Sequence, residues 1–73
     1  MTRVKCERLK RGWSLQALGY RAGIQAGEVS KIERRLAVPY PKQLKSLARV
    51  LGVGEAALLE EVTPDELLDM SRV

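Results

Sequence analysis

Histidine and phenylalanine are both absent from this 73-residue chain, and cysteine occurs once. Each absence removes a class of chemistry. Without His there is no imidazole base, and with Cys6 alone there is neither an internal disulfide nor a thiolate cluster for a structural metal. No phosphate-binding glycine loop compensates, so no nucleophile and base can be assembled. The expectation is a non-enzymatic protein with no metal, no cofactor and no small-molecule ligand. Apolar runs are short as well. None approaches a membrane span and no signal-peptide pattern opens the chain, so a cytoplasmic location is expected. Lacking Phe, the core must be aliphatic, with Trp13 as its expected aromatic anchor and Cys6 as a reduced, partly buried small residue. Seventy-three residues allow one domain whose core is only marginally stabilising.

Charge is unevenly distributed. Residues 1–53 hold twelve Lys and Arg against three Glu, a net of +9, whereas residues 54–73 hold one Arg against six acids, a net of −5. A basic body of this kind can neutralise phosphates and release counterions, while an acidic tail would be repelled by the same partner and should point away. Ordinary solvated faces account for Lys10 and Lys45, but not for the confinement of most acid to one end.

Periodicity and punctuation predict an all-α fold of five helices and a short sixth. Thr2 is a plausible N-cap for a first helix running to Arg11, where Gly12 ends it. Val4 and Leu9 are its core candidates. Ser14 caps the second helix without a capping box, because Ala17 occupies N3. A third helix covers about Gln25 to Arg35. Pro39-Tyr40-Pro41 is a loop, with Pro41 at the first position of a fourth helix that reaches Leu51. Leu44, Leu47, Ala48 and Leu51 give it an apolar stripe, and Gly52 stops it. A fifth helix begins after Gly54 with Ala57, Leu58 and Val62. Thr63-Pro64-Asp65-Glu66 is a strong start signal for a last turn or two through Leu67, Leu68 and Met70. The domain is taken as residues 1–62, with 63–73 as a helical tail.

Within this frame Leu15 to Glu33 have the pattern of two short helices meeting at a glycine turn. Leu18 and Ala22 recur at helical spacing, Gly19 sits on the inner face where a second helix can cross closely, Gly23 breaks the run, and Val29 and Ile32 resume it. Ile24 enters the core between them. Any helical hairpin needs small residues and a glycine, so these residues alone leave a plain structural hairpin open.

The longer stretch Arg3-Val4-Lys5-Cys6-Glu7-Arg8-Leu9-Lys10-Arg11-Gly12-Trp13-Ser14 resembles the opening of the phage Cro and repressor-like (Xre) helix-turn-helix domains. The similarity continues without a gap through Leu18, Gly19, Gly23, Val29, Ser30, Ile32, Glu33, Arg34, Pro39, Leu44, Leu47-Ala48, Leu51-Gly52-Val53 and Leu58-Leu59. The resemblance implies a five-helix bundle, with the helix-turn-helix over about residues 14–35, that binds double-stranded operator DNA, commonly as a homodimer. It also implies that Arg8 and Glu33 pair across the first and third helices in a structural role.

In helix-turn-helix proteins the start of the third helix enters the major groove, so Gln25, Ala26, Gly27, Ser30 and Lys31 are the expected base-facing residues. Glutamine can pair bidentately with adenine and lysine can donate to guanine, although a solvated face remains the alternative for both. Ala26 and Gly27 depart from the family's polar residues here, which shifts weight toward readout of DNA shape. Phosphate contacts are expected from Ser14, Gln16 and the free amides of the second helix, and then from Arg34, Arg35, Tyr40 and Lys42. Leu15 stands where the family often has glutamine, and Gln16 could deputise. Arg35 stands where the family usually has glycine, so the third helix is expected to end less sharply.

The acidic end is the candidate dimer surface, through Leu58, Leu59, Leu67, Leu68 and Met70, which are more apolar side chains than two terminal helices need. Leu58 and one of Leu67 or Leu68 could equally just complete the monomer. The reading that results is a dimeric, sequence-specific transcriptional repressor of bacterial or phage origin. An antitoxin or restriction-modification controller of the same fold stays open, as does a protein-interaction adaptor that has lost base readout. A basic membrane-surface module built on the first helix is disfavoured, because Val4 and Leu9 make too small an apolar face.

Overall fold

Thr2 and Ser14 open the first two helices in the same way. Each lies in extended backbone and accepts from the amide three residues on, Lys5 N at 3.3 Å and Ala17 N at 3.0 Å. An amide that a helix start leaves without a partner is thereby satisfied. The computed structural model describes residues 1–70, except the side chains of Asp69 and Met70. Helix α1 spans Arg3–Lys10, α2 Leu15–Ala22, α3 Ala26–Glu33, α4 Pro41–Leu51 and α5 Asp65–Met70, with one 3₁₀ turn at Glu55–Ala57. Among the described residues there is no strand, only an isolated antiparallel bridge between Thr2 and Glu61.

The expected fifth helix is thus reduced to that single turn. Its residues are good helix formers, but their carbonyls are used elsewhere. Leu58 O accepts from Val4 N at 3.1 Å and Glu60 O from Arg3 N at 3.0 Å, while Val62 N donates to Met1 O at 2.7 Å. Segment 58–62 therefore caps the start of α1, and amides that α1 could not pair internally are paired by the far end of the chain.

Helix α3 also ends earlier than expected, at Glu33. Arg35 adopts the left-handed conformation with φ 59°, and Leu36 N reaches back to Lys31 O at 2.8 Å. The stop is as sharp as a glycine would give. Holding an arginine there costs roughly 1–2 kcal/mol of backbone strain.

The core is aliphatic. Val4, Leu18, Ile24, Val29, Ile32, Leu47, Leu51 and Leu58 are buried together, with Leu44 and Ala48 packed half-buried against them. Two expectations are corrected. Leu9 is exposed, because the inward face of α1 is carried by Val4, Cys6, Glu7 and Arg8. Trp13 is only half-buried, and its ring faces the Arg21 guanidinium at 4.3 Å and that of Arg11 at 5.6 Å. It closes the edge of the core through cation–π contact rather than anchoring its centre.

The acidic end folds back onto α1. The carboxylate of Glu66 pairs with Lys10 Nζ at 2.7 Å and with the guanidinium of Arg3, and accepts from the Cys6 thiol at 3.5 Å. Glu7 lies in the same cluster, bonded by Lys10 at 3.0 Å and Arg11 at 3.0 Å. Burial pushes the Cys6 thiol up, and Glu66 adds to that shift, so the cysteine stays protonated. Lys10 and then Arg3 hold the Glu66 carboxyl at about 2, below its usual 4.5.

This depression fixes the sign of an acid response. Because the folded value lies below the unfolded one, the contribution of Glu66 is complete above about pH 4.5 and is lost as pH falls toward 2. Urea denaturation at pH 7 and pH 3 should show Glu66→Gln less stable than the unchanged chain at pH 7 and losing less between the two pH values. Parallel losses would mean that α5 is not held by this carboxylate.

Candidate nucleic-acid interface

Two short helices cross closely at Gly19. A Cβ built there would lie 2.3 Å from the carbonyl oxygen of Ile24 and 3.5 Å from Ala26 N. Both are backbone atoms that a side-chain rotation cannot move. Gly23 ends α2 at φ 71°, and Ile24 N returns to Gly19 O at 2.8 Å, which turns the chain into the core before α3 begins. The result presents the start of α3 outward.

On that start, Gln25 is the N-cap residue but makes no side-chain cap bond, which leaves its amide group available. Gln25, Gly27 and Lys31 are exposed, and Ala26 and Ser30 are half-buried on the flanks. Val29, Ile32 and Glu33 fill the opposite face. Gly27 has helical backbone and nothing within 4 Å of its missing Cβ, so neither conformation nor packing requires glycine there.

The phosphate candidates divide into two groups. Ser14 and Gln16 lie exposed at the start of α2, where Ser14 Oγ already accepts from Ala17 N and keeps its hydroxyl proton to donate. Leu15 is half-buried against the core, which explains the absence of a polar residue at that point. Arg34 is exposed and rests lightly on Ser30 O at 3.4 Å. Tyr40 and Lys42 border an open groove of about 540 Å³ whose other wall is Ala22, Gly23 and Ile24. Arg35 does not join them. Its guanidinium donates to Leu59 O at 3.0 Å and pairs with Glu61 at 3.2 Å.

Three side chains escaped the sequence analysis. Glu28, in the first turn of α3, puts a carboxylate beside the candidate base-facing residues, where it suits the helix dipole and has the chemistry to accept from a cytosine amino group. Its offset of three from Gln25 was the available signal. Arg21 stacks on Trp13, a pairing that no local spacing announces. Gln43 reaches back to Tyr40 N at 2.9 Å and caps α4, which a search for Ser, Thr or Asp at the cap would overlook.

Behind α3 the Arg8–Glu33 pair is bidentate, Nε to Oε2 at 2.7 Å and Nη2 to Oε1 at 2.9 Å, and both residues are buried. Arg8 also donates to Trp13 O at 2.9 Å. Thr2 adds a contact from its hydroxyl to Glu33 O at 3.4 Å. Of the expected dimer residues, Leu58 is corrected. It is fully buried in the monomer core and unavailable as a surface. Leu59 and Leu67 are half-buried and Leu68 is 56% exposed. The side chain of Met70 lies outside the described residues. No described helix is long and apolar enough to cross a membrane.

Comparison with known proteins agrees with this geometry. A family model described as a helix-turn-helix domain matches residues 2–62. A solved structure of a SinR protein/SinI protein complex shares the fold with a TM-score of 0.72 and 29% identity, covering 97% of this chain and 76% of that one. No curated protein matches significantly.

The crossing and the pair each make a testable demand. Gly19→Ala should cost roughly 1–3 kcal/mol through overpacking against backbone, whereas Gly27→Ala should gain roughly 0.5–1 kcal/mol from helix propensity. Thermal denaturation of the two variants should therefore move in opposite directions. For the pair, Arg8→Ala and Glu33→Ala should each cost roughly 3–5 kcal/mol, because each strands a buried charge. The double variant should cost less than the sum, and additivity in the cycle would mean the two groups do not interact.

Proposed function

The chain belongs to the helix-turn-helix family, and from that premise we propose that it is a sequence-specific repressor of the Cro and Xre type that binds duplex DNA as a homodimer. The observation that carries this reading is the exposed start of α3, with Gln25, Gly27 and Lys31 outward and the exposed Arg34, Tyr40 and Lys42 following. In this reading α3 lies in the major groove, the starts of α2 and α4 grip phosphates on either side, and residues 1–62 form the DNA-binding part. Gln25 and Lys31 supply direct readout at adenine and guanine, Ser30 a flanking hydroxyl, and the small Ala26 and Gly27 leave the remaining specificity to DNA shape.

The dimer reading rests on α5. With Leu58 withdrawn into the core, Leu68 and the half-buried Leu59 and Leu67 remain as its apolar surface, contributed by α5 and the segment before it. Apolar contact has to drive that association, since two acidic tails repel. Leu68→Asp should convert a dimer to a monomer in analytical ultracentrifugation, and a variant that stays dimeric would put the interface elsewhere.

An adaptor reading is favoured by one observation, the exposure of Leu36, Val38 and Tyr40 directly after α3, and the similar SinR chain is found in a complex with SinI protein. Selection of bound sequences from random duplex DNA separates the two. Gln25→Ala and Lys31→Ala should each alter the preferred base at one position, by roughly 1–3 kcal/mol for a bidentate contact. Arg34→Ala with Lys42→Ala should weaken all sequences alike and flatten the salt slope by about one per lost phosphate contact. If the chain and all these variants bind without sequence preference, base readout is lost and the adaptor reading gains.

A further inference from the structure

Arg35 is the one phosphate candidate that is already engaged by an anion. It follows α3 directly, its backbone is held at φ 59°, and its Nη2 donates to Leu59 O at 3.0 Å while lying 3.2 Å from Glu61. Glu61 is itself fixed in place. It pairs with the N-terminal ammonium of Met1, and its neighbour Val62 bonds Met1 O at 2.7 Å, so the carboxylate sits on the strap that caps α1 rather than on a loose tail. Both side chains remain partly open to water, 44% for Arg35 and 66% for Glu61. An exposed pair of this kind is weak enough to be exchanged for another anion.

We propose that Glu61 is an internal competitor for DNA phosphate at Arg35, so that the acidic strap sets the affinity of the interface by withholding one of its cations. The proposal rests on the DNA-binding reading and adds its regulation. A guanidinium released from Glu61 belongs to the residue that follows Arg34, and its backbone is already set by the left-handed turn. Anything that draws Glu61 away therefore adds a phosphate contact without refolding α3. The ordered N-terminus contributes too, because the Met1 ammonium hydrogen-bonds Glu61 and holds its carboxyl below the usual carboxylate range, which keeps the competitor charged.

The test is a cycle of salt-dependent titrations against one random-sequence duplex, with folding checked by thermal denaturation. Glu61→Gln should tighten binding about two- to fivefold at low salt, the range expected for breaking an exposed pair, and steepen the salt slope by about one. Glu60→Gln removes the same charge one residue away from an exposed side chain with no bond to Arg35, and reports the general field effect. Adding Arg35→Ala to Glu61→Gln should abolish the gain. The proposal is overturned if Glu61→Gln behaves like Glu60→Gln, if the gain survives loss of Arg35, or if Arg35→Ala alone already flattens the slope. A folded chain that binds no duplex at any salt would instead overturn the DNA-binding reading on which it stands.

Discussion

The Arg8 guanidinium divides its donors among three oxygens: two belong to Glu33 at the end of α3 and one is the carbonyl of Trp13, just before α2. One side chain from α1 thereby sets the position of both helices of the helix-turn-helix. Taking two charges out of water is costly, and this pair repays it only because its geometry is bidentate and the third guanidinium nitrogen is bonded as well. Apolar residues could match its stability but not its direction. Two parallel hydrogen bonds orient α3 in addition to the core contacts of Val29 and Ile32.

A second constraint follows at the chain's two ends. Residues 58–62 give up a helix of their own to complete α1, and in doing so bring the acidic end against the basic body. The acidic tail was expected to point away. Instead Glu66 pairs with both Arg3 and Lys10, and Glu61 engages Arg35. Among the described residues, Lys31 on α3, Arg34 just after it and Lys42 at the start of α4 take no part in these pairs and stay exposed.

Helices α1 to α4 were legible because their punctuation is local. Thr2, Ser14, Gly23, Pro41 and Gly52 each act on the next few residues, and the expected boundaries were close to those found. What was hidden depended on distant partners. Glu55 to Glu61 favour a helix, but the amides of Arg3 and Val4 take their carbonyls. Leu9 fits an apolar stripe, but a salt-bridged face of α1 displaces it. Arg35 looked like a helix continuation with a free cation, and became a left-handed stop tied to Glu61. For the candidate site, period alone turned Val29 and Ile32 inward, whereas the outward start of α3 and the inward Glu33 were legible only through the resemblance to helix-turn-helix domains. Glu28 offers an acceptor rather than a donor, so the basic pattern of the chain does not point to it.

Trp13 is the only tryptophan in the chain. It sits immediately before the Ser14 cap, between two guanidinium groups and only half-buried. Its indole is therefore an intrinsic optical reporter beside the start of α2, at the edge of the candidate interface. A charge drawn toward the start of α2 would change the field across the ring and reorder Arg21 above it, shifting emission without disturbing the core. Occupancy of that corner can be followed by fluorescence on the unlabelled protein.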